Sequence, residues 1–255
     1  MRYIYLNIAN FMNFKSSLIG ILLFISACSS PKKAVKIAVA SNMETALQEI
    51  LIHFAKEEPS VKVDVIASSS GKLFAQIANG APFDVFISAD LEYPHKLIKE
   101  KKVQGKVIEY AQGTLIIWSK KNINLSAIDF LDSKYEKIAI ANPETAPYGK
   151  AAVEYLKKTG VYEKIKSKLV FAESIGQVNH FIESQVVDFG FTTSSVVAGK
   201  KENWMEVDQK YYSPIRQGMC QLINAKNDEV SERLIKFMQS DNAKKILIKY
   251  GYKVN

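Results

Sequence analysis

Hydroxyl and amide side chains recur where predicted strands end and predicted helices begin. The first such turn is Ser41-Asn42, and the second is the Ser-Ser-Ser-Gly run at 68–71. Further along come Tyr148, in a loop stiffened by prolines, and the Ser-Ile-Gly turn at 174–176. Neutral donors, together with the free N–H groups of helix N-termini, can bind an anion without a counter-charge. The pattern therefore predicts an anion-binding site assembled from several loops.

Each of these residues also has an ordinary structural interpretation. Ser41 and Glu44 fit a capping box, which would occupy the Ser41 hydroxyl on a first-turn N–H. Asn42 is a common turn former, and Tyr148 could be an exposed loop aromatic. The serines at 68–70 could cap a helix, but three hydroxyls exceed what one cap requires. Capping accounts for single turns but not for their repetition along the chain.

One enzymatic interpretation of the turn at 68–71 is a phosphate-binding P-loop. Gly71-Lys72 matches the end of that motif. However, Ile66 stands where its first glycine should be, and Leu73 replaces the Ser or Thr that would hold magnesium. The P-loop interpretation fails.

The same turn is a relaxed nucleophile elbow with Ser69 at its centre. A serine hydrolase would also need a histidine base, and the chain has three histidines, His53, His95 and His180. The first and last fall inside predicted helices, and His95 follows Pro94 in a charged segment. No histidine has the late-loop position of a hydrolase base, so this remains a minor alternative. No paired carboxylates or Cys/His metal spacing supports another enzyme.

Strand-like runs alternate with amphipathic helical runs, which predicts an α/β protein with a mostly parallel sheet covered on both faces. Strands are predicted at 35–40, 61–65, 85–87, 107–110, 113–118, 137–141, 169–172, 186–191 and 217–223. Helices are predicted at 43–54, 73–78, 151–158, 177–184, 228–238 and 242–250.

Residues 1–27 have the pattern of a bacterial signal peptide. Arg2 and Lys15 precede an apolar run at 18–25, and no acidic residue occurs in the segment. The run is too short to span a bilayer but matches the apolar region of a signal peptide. We therefore exclude this segment from the predicted fold.

The end of that segment, Phe-Ile-Ser-Ala-Cys at 24–28, resembles a bacterial lipobox. The resemblance implies cleavage before Cys28 and a diacylglycerol on its sulfur, with residues 28–34 as a tether. The mature protein would then lie outside the cytoplasm, anchored to a membrane without crossing it. A plain signal peptide is the alternative.

Charge and cysteine content narrow the remaining options. The chain has 34 basic and 26 acidic residues, a net of +8, and removing Arg2 and Lys15 lowers the net to +6. The excess is scattered without a basic stripe, so nucleic acid is not predicted as a partner. Only Cys220 remains after Cys28, which excludes an internal disulfide.

A set of short motifs, taken together, resembles one family of transport proteins. The longest is Ala-Gln-Ile-Ala-Asn-Gly-Ala-Pro-Phe-Asp-Val-Phe-Ile-Ser-Ala-Asp at 75–90. Shorter ones lie at 38–42, 69–72, 142–149, 174–177 and 188–191. The combination resembles the molybdate-binding proteins of ABC importers, over a stretch from Val35 to Tyr252.

The resemblance implies a type II periplasmic-binding-protein fold, in which two α/β lobes are joined by two crossing strands and the ligand lies in the cleft. Lobe 1 would comprise residues 35–112 and 216–255, and lobe 2 residues 113–215. The crossings would fall near 111–114 and 214–219.

The resemblance also implies the ligand contacts, which would be Ser41, Asn42, Ser70, Tyr148 and the backbone N–H of Ile175. The ligand would be molybdate or tungstate, bound through its oxygens, with no cofactor, no metal site and no catalytic residue. The implied partner is the membrane permease of an ABC importer, and the protein is expected to be a monomer.

The chain departs from the family pattern at two places. Thr193 stands near a position where one branch of the family has a ligand-binding tyrosine, and this chain has Tyr148 instead, as in another branch. The serine run is also one residue longer than in the first branch, so Ser69 could replace Ser70 as the contact. A receptor for sulfate or another oxyanion, a serine hydrolase using Ser69, and a non-catalytic surface lipoprotein remain as alternatives.

Overall fold

The computed structural model describes residues 34–223, 225 and 228–254. The predicted signal peptide and Cys28 lie outside them. The strands are β1 Ala34–Ala40, β2 Lys62–Ser68, β3 Val85–Ile87, β4 Val103–Gly113, β5 Leu115–Ser119, β6 Ile138–Ala141, β7 Leu169–Ala172, β8 Phe189–Thr193, β9 Asn203–Glu206 and β10 Ile215–Leu222. The helices are α1 Glu44–Glu57, α2 Ser70–Ala78, α3 Glu92–Lys99, α4 Pro147–Lys158, α5 Tyr162–Ile165, α6 Ile175–Glu183, α7 Asp228–Met238 and α8 Asp241–Lys249. None of the helices in these ranges has the length and apolar character needed to span a membrane.

The strands form two five-stranded mixed sheets, with orders β2-β1-β3-β10-β4 and β7-β6-β8-β5-β9. In the first sheet β1 is parallel to both its neighbours, and in the second sheet β6 is parallel to both its neighbours. The remaining pairs are antiparallel. The α/β class predicted from the sequence is confirmed. The expectation of a mostly parallel sheet is wrong, because β10 and β5 return through the sheets in the opposite direction.

The chain passes between the sheets at two places. Strand β4 ends at Gly113 in the first sheet, and β5 begins at Leu115 in the second, so Thr114 joins them. The return follows β9, which ends at Glu206, and reaches the first sheet at Ile215. Two crossings between two sheets are the architecture that the family resemblance implied.

Helices cover both faces of the first sheet. On one face, Ile37 and Val39 of β1 pack with Leu47 of α1 and with residues of α7 and α8. On the other, Phe86 of β3 and Cys220 of β10 pack with Leu73 and Leu97 of α2 and α3. Burial raises the pKa of the Cys220 thiol to about 12.

The second sheet has its own core, in which Trp118, Phe189 and Phe191 are fully enclosed. Helix α4 lies close to this sheet because Gly149 has no side chain. A Cβ at that position would overlap the carbonyl oxygen of Ala141 at the end of β6. This close approach places the first turn of α4 at the edge of the sheet.

Three local predictions differ from the structure. Strand β2 does not have one buried face, because it is the edge of its sheet and leaves Val65 and Ile66 more than a third exposed. Helix α3 was not predicted, since Pro94 and the surrounding charges obscured its pattern. Helix α4 begins at Pro147 rather than at Gly149-Lys150, so Tyr148, predicted just before the helix N-terminus, lies within its first turn.

Candidate functional site

The loops that follow β1, β2, β6 and β7 converge on a small cavity. All five predicted ligand residues line it. The lining residues are Ala40, Ser41, Asn42, Ser68, Ser69, Ser70, Ala89, Ala146, Pro147, Tyr148 and Ile175. None of them carries a charge. The sequence motifs therefore identified residues that the fold brings together from both sheets.

Ser41 does not cap helix α1, so the predicted capping box is wrong. The N-cap is Met43, without a side-chain cap bond, because Ser41 lies in the preceding turn. Its Oγ instead accepts a hydrogen bond from the N–H of Gly176, at 3.1 Å, in the first turn of α6. Because this bond uses a lone pair, the hydroxyl proton remains free for a ligand.

The serine turn before α2 presents two buried hydroxyls. Ser70 is fully buried, and its Oγ accepts the N–H of Ala89 at 3.0 Å, which again leaves the proton free. Ser69 is the N-cap residue, yet its side chain makes no cap bond. Its Oγ is buried and has no hydrogen-bond partner within the described part of the chain. Buried unpaired hydroxyls are costly, and a ligand oxygen would satisfy this one.

Tyr148 is 1% exposed, and its hydroxyl accepts two hydrogen bonds. One comes from Thr193 Oγ1 at 3.1 Å and the other from Gln217 Nε2 at 3.2 Å. Gly113 leaves room for this hydroxyl, since a Cβ there would overlap it. Burial raises the pKa of Tyr148 well above its usual value, so the phenol keeps its proton.

The side chain of Asn42 is held by other residues of the protein. Its Nδ2 donates to Gln217 Oε1 at 3.0 Å and to the Tyr252 hydroxyl at 3.1 Å. Its backbone carbonyl accepts from Ser195 Oγ and from the Tyr252 hydroxyl, both at 2.7 Å. Both amide hydrogens are therefore occupied, and the group of Asn42 still open to a ligand is its backbone N–H.

Three helices begin at the cavity. Ser70, Tyr148 and Ile175 lie in the first turns of α2, α4 and α6 respectively. First-turn N–H groups have no partner inside their helix and carry the positive end of its dipole. The N–H of Gln177, the third residue of α6, donates a hydrogen bond to the hydroxyl of Ser174. The N–H of Ile175 is thereby left for a ligand.

Sequence reasoning missed the residues behind the cavity wall. Gln217 and Tyr252 lie 175 and 210 residues from Asn42, and Ser195 lies 153 away. In the sequence, Thr193 stands out only because it lies near a position where one branch of the family has a tyrosine. The one local signal is Gln217 itself, a polar residue in the mostly apolar run of strand β10.

The cavity does not have the parts of a hydrolase. The hydroxyl of Ser69 contacts no base, and none of the three histidines lines the cavity. Within residues 34–223, 225 and 228–254, no cluster of three or more His, Cys, Asp or Glu could hold a metal ion.

Contacts between the two sides of the cleft surround the cavity. The N–H of Gly71 donates to the carbonyl of Thr145 at 2.9 Å, and the Tyr93 hydroxyl to that of Glu144 at 3.0 Å. Lys72 and Glu173 form an ion pair at 2.7 Å. The structure thus has the two sides of the cleft in contact around an uncharged, donor-rich cavity.

A two-sheet α/β protein with two crossings and a cavity of neutral donors between the sheets is a solute-binding protein of the type II architecture. The chain belongs to the bacterial extracellular solute-binding protein family, whose match covers residues 35–253.

Several relatives are named for one ligand. The chain is 36% identical over 234 residues to the molybdate-binding protein ModA of Azotobacter vinelandii, covering 89% of this chain and 92% of that protein. It is 37% identical over 219 residues to ModA of Rhodobacter capsulatus, covering 84% and 86%. The solved structure of the Azotobacter vinelandii periplasmic molybdate-binding protein matches with a TM-score of 0.83 at 30% identity, over 87% of this chain and 99% of that one. The predicted resemblance to molybdate-binding proteins is confirmed.

Proposed function

We propose that this protein captures molybdate and tungstate outside the cytoplasm and delivers them to the permease of an ABC importer. Its relatives are named as binding proteins, and we propose that it likewise catalyses no reaction and uses no cofactor. The ligand is bound through its oxygens in the cavity between the two sheets.

The observation that carries the proposal is the polarity of the cavity hydroxyls. Ser41, Ser70 and Tyr148 each accept a hydrogen bond from the protein, so each has its proton left to donate. The N–H groups of the helix first turns add donors, and no acidic side chain lines the cavity. A tetrahedral dianion accepts at every oxygen, whereas a protonated phosphate would also need an acceptor for its O–H.

The donors are numerous enough for useful affinity. Hydrogen bonds to charged groups contribute about 1.5–3 kcal/mol each, so five to seven of them could offset the dehydration of a dianion. We propose contacts from the hydroxyls of Ser41, Ser70 and Tyr148 and from the N–H groups of Asn42 and Ile175. The unpartnered hydroxyl of Ser69 supports it as a further donor beside Ser70.

Capture is proposed to occur by closure of two lobes, made of residues 35–112 with 216–255 and residues 113–215. Ser41 and Ser70 belong to one of them, and Tyr148 and Ile175 to the other. A ligand bound by both would stabilise the closed form over the open one. Scattering that showed no compaction on saturating molybdate would contradict closure.

The remaining parts of the proposal concern the context of the protein. We propose cleavage before Cys28, lipidation of its sulfur and a tether that holds a monomer at the membrane surface. Mass spectrometry of the protein extracted from membranes would show an acylated N-terminal cysteine, and a soluble, unmodified product would contradict the anchor.

Calorimetry with molybdate, tungstate, sulfate and phosphate tests the ligand. We expect molybdate and tungstate to bind with similar dissociation constants, in the micromolar to nanomolar range or roughly −8 to −12 kcal/mol. Sulfate has the same charge and shape but is smaller, so it should bind more weakly, and phosphate should bind weakest. Tighter binding of sulfate than of molybdate would favour the alternative of a sulfate receptor. No heat with any of the four would contradict the proposal.

A further inference from the structure

We propose that Gln217 is a positioning residue that makes the Tyr148 hydroxyl a donor to the ligand and thereby selects unprotonated oxyanions. This inference rests on the proposed function of the cavity. Gln217 is fully buried on β10 and lies behind the cavity wall, outside the set of lining residues. It acts on the ligand through Tyr148.

The backbone carbonyl of Asn42 fixes the direction of the hydrogen bonds that lead from Tyr252 to Gln217. A carbonyl oxygen can only accept, so the Tyr252 hydroxyl, 2.7 Å from the carbonyl of Asn42, must use its single proton there. Toward the Asn42 side chain, 3.1 Å away, Tyr252 can then only accept. The Asn42 atom that faces it is therefore the amide nitrogen.

That nitrogen also lies 3.0 Å from the side-chain amide of Gln217. Since Asn42 Nδ2 is a donor, the Gln217 atom facing it must be the oxygen. The same Oε1 lies 2.8 Å from the hydroxyl of Tyr110. The other end of the amide, Nε2, consequently faces Tyr148 and donates to its hydroxyl at 3.2 Å.

The Tyr148 oxygen has two lone pairs, and Gln217 and Thr193 fill both. Its proton can then serve only an acceptor in the cavity. An oxyanion oxygen provides that acceptor, but the O–H of a protonated anion finds no lone pair at Tyr148. The preference for unprotonated oxyanions is thus built into the orientation of one glutamine amide.

The substitution Gln217→Glu tests this because a carboxylate has no donor. At about pH 8 the ionised carboxylate of the variant would accept the Tyr148 proton, removing one ligand donor and adding a negative charge. We expect molybdate affinity to fall roughly 10- to 100-fold or more. The freed Tyr148 lone pair would accept from hydrogen phosphate, so the preference for molybdate over phosphate should fall at least tenfold, roughly the share of one such hydrogen bond.

Lowering the pH should restore the variant. Burial raises a carboxyl pKa, so the side chain introduced by Gln217→Glu should gain a proton between about pH 8 and about pH 5. A protonated carboxyl again donates toward Tyr148, and molybdate affinity should return to within about threefold of the unaltered protein measured at the same pH. The titratable groups that contact this side chain are Tyr110 and Tyr148, and Tyr110 in turn interacts with Tyr252 and Asp90. All four are present in both proteins.

Gln217→Met is the matched control, because it removes the amide without adding a titratable group. Its affinity relative to the unaltered protein should not depend on pH. A Gln217→Glu loss that is the same at both pH values, or a pH-dependent loss in Gln217→Met, would overturn the inference. If Gln217→Glu does not fold, as judged by thermal melting, a cycle of Gln217→Met with Tyr148→Phe decides. Non-additive losses of at least threefold support the coupling, and additive ones overturn it.

The outcome for the unaltered protein separates the two proposals. If it binds none of the oxyanions, the proposed function fails and this inference fails with it. If it binds molybdate while the variants show no pH-dependent or coupled effect, the inference about Gln217 alone is wrong.

Discussion

Two neighbouring spaces between the sheets differ sharply in charge. The cavity has no charged lining residue. A larger groove shares Ala89 and Pro147 with it and is also lined by Asp90, Glu92, Lys150, Glu154 and Arg216. Charged side chains therefore line the adjoining groove but not the cavity itself. The proposed anion would therefore be neutralised by helix dipoles and hydroxyl protons rather than by a counter-ion.

Asp90 shows that burial makes a negative charge costly in this region. Asp90, in the groove, accepts hydrogen bonds from Ser88 Oγ and the Tyr93 N–H, at 3.1 and 3.0 Å. Even so, burial raises its pKa above the usual value. A carboxylate inside the smaller cavity would face the same desolvation and, in addition, the ligand.

The largest expected effect comes from placing a carboxylate in the cavity, with a carboxylate in the groove as its control. Ser41→Asp puts a negative charge within contact distance of the proposed ligand. One unit-charge pair at 4 Å costs about 4 kcal/mol at an effective dielectric of 20. Calorimetry should therefore show a loss of molybdate affinity of roughly 1,000-fold or more.

Ser213→Asp is the matched control for that substitution. Ser213 is exposed and lines the groove. Its replacement should change molybdate affinity by less than about threefold, since the charge is hydrated and screened. Equal losses in the two variants would remove the distinction between cavity and groove.

A smaller effect is expected from adding a methyl group at Gly71, where the two sides of the cleft meet beside the cavity. A Cβ on Gly71 would lie 2.9 Å from the Cα of Thr145, on the other side of the cleft, and 2.6 Å from the Tyr93 hydroxyl on its own side. Overpacking of this kind costs about 1–2 kcal/mol, so Gly71→Ala should weaken molybdate binding roughly tenfold. Thermal melting without ligand should change less than binding. The open form relieves the contact with Thr145, and it also frees the Tyr93 hydroxyl from the Glu144 carbonyl so that the end of this side chain can move away.

Gly149→Ala provides the contrast. Its Cβ would overlap the Ala141 carbonyl within one sheet and core, so it should lower the melting temperature whether or not ligand is present. If Gly71→Ala lowered the ligand-free melting temperature as much, the two sides of the cleft would not separate in solution.

The smallest effect concerns the ion pairs that join the two sides. Lys72 and Glu173 are 2.7 Å apart beside the cavity, with 40% and 72% of their side chains exposed. Lys150 and Glu92, at the groove, are 4.0 Å apart. Exposed pairs contribute about 0.2–1 kcal/mol, so Lys72→Ala should weaken binding by at most about fivefold.

That loss should shrink as salt rises from about 20 mM to about 500 mM, where exposed charges are screened. Lys150→Ala should have a still smaller effect at low salt, because its pair is longer. A salt-independent loss in Lys72→Ala would mean that the lysine acts on the ligand rather than on closure.

Local patterns predicted the parts of the site that local structure determines. The turns carrying Ser41, Ser70 and Ile175 follow strands with clear apolar patterns, and the structure places all three at one cavity. Tyr148 lines the same cavity, although its helix begins earlier than the sequence pattern predicts. Their common position could be predicted because each residue lies at a strand-to-helix junction that is visible within about ten residues of sequence.

The supporting network could not be predicted in the same way. The bonds of Asn42 to Gln217 and Tyr252 depend on strand β10 and the segment after α8 returning to β1, which no short-range pattern specifies. The capping box failed for a related reason. A hydrogen bond from Gly176, 135 residues away, was available to the Ser41 hydroxyl in place of the local N–H.

The thiol of Cys220 can serve as a built-in probe of the transient release of strand β10. Its pKa of about 12 leaves almost no thiolate at neutral pH, and neighbours on both sides of β10 shield the sulfur. A thiol-reactive dye should therefore label the folded chain only as fast as this strand is transiently released. Because the same strand carries Gln217, a bound oxyanion should slow the labelling, and its kinetics would report ligand occupancy without any engineered tag.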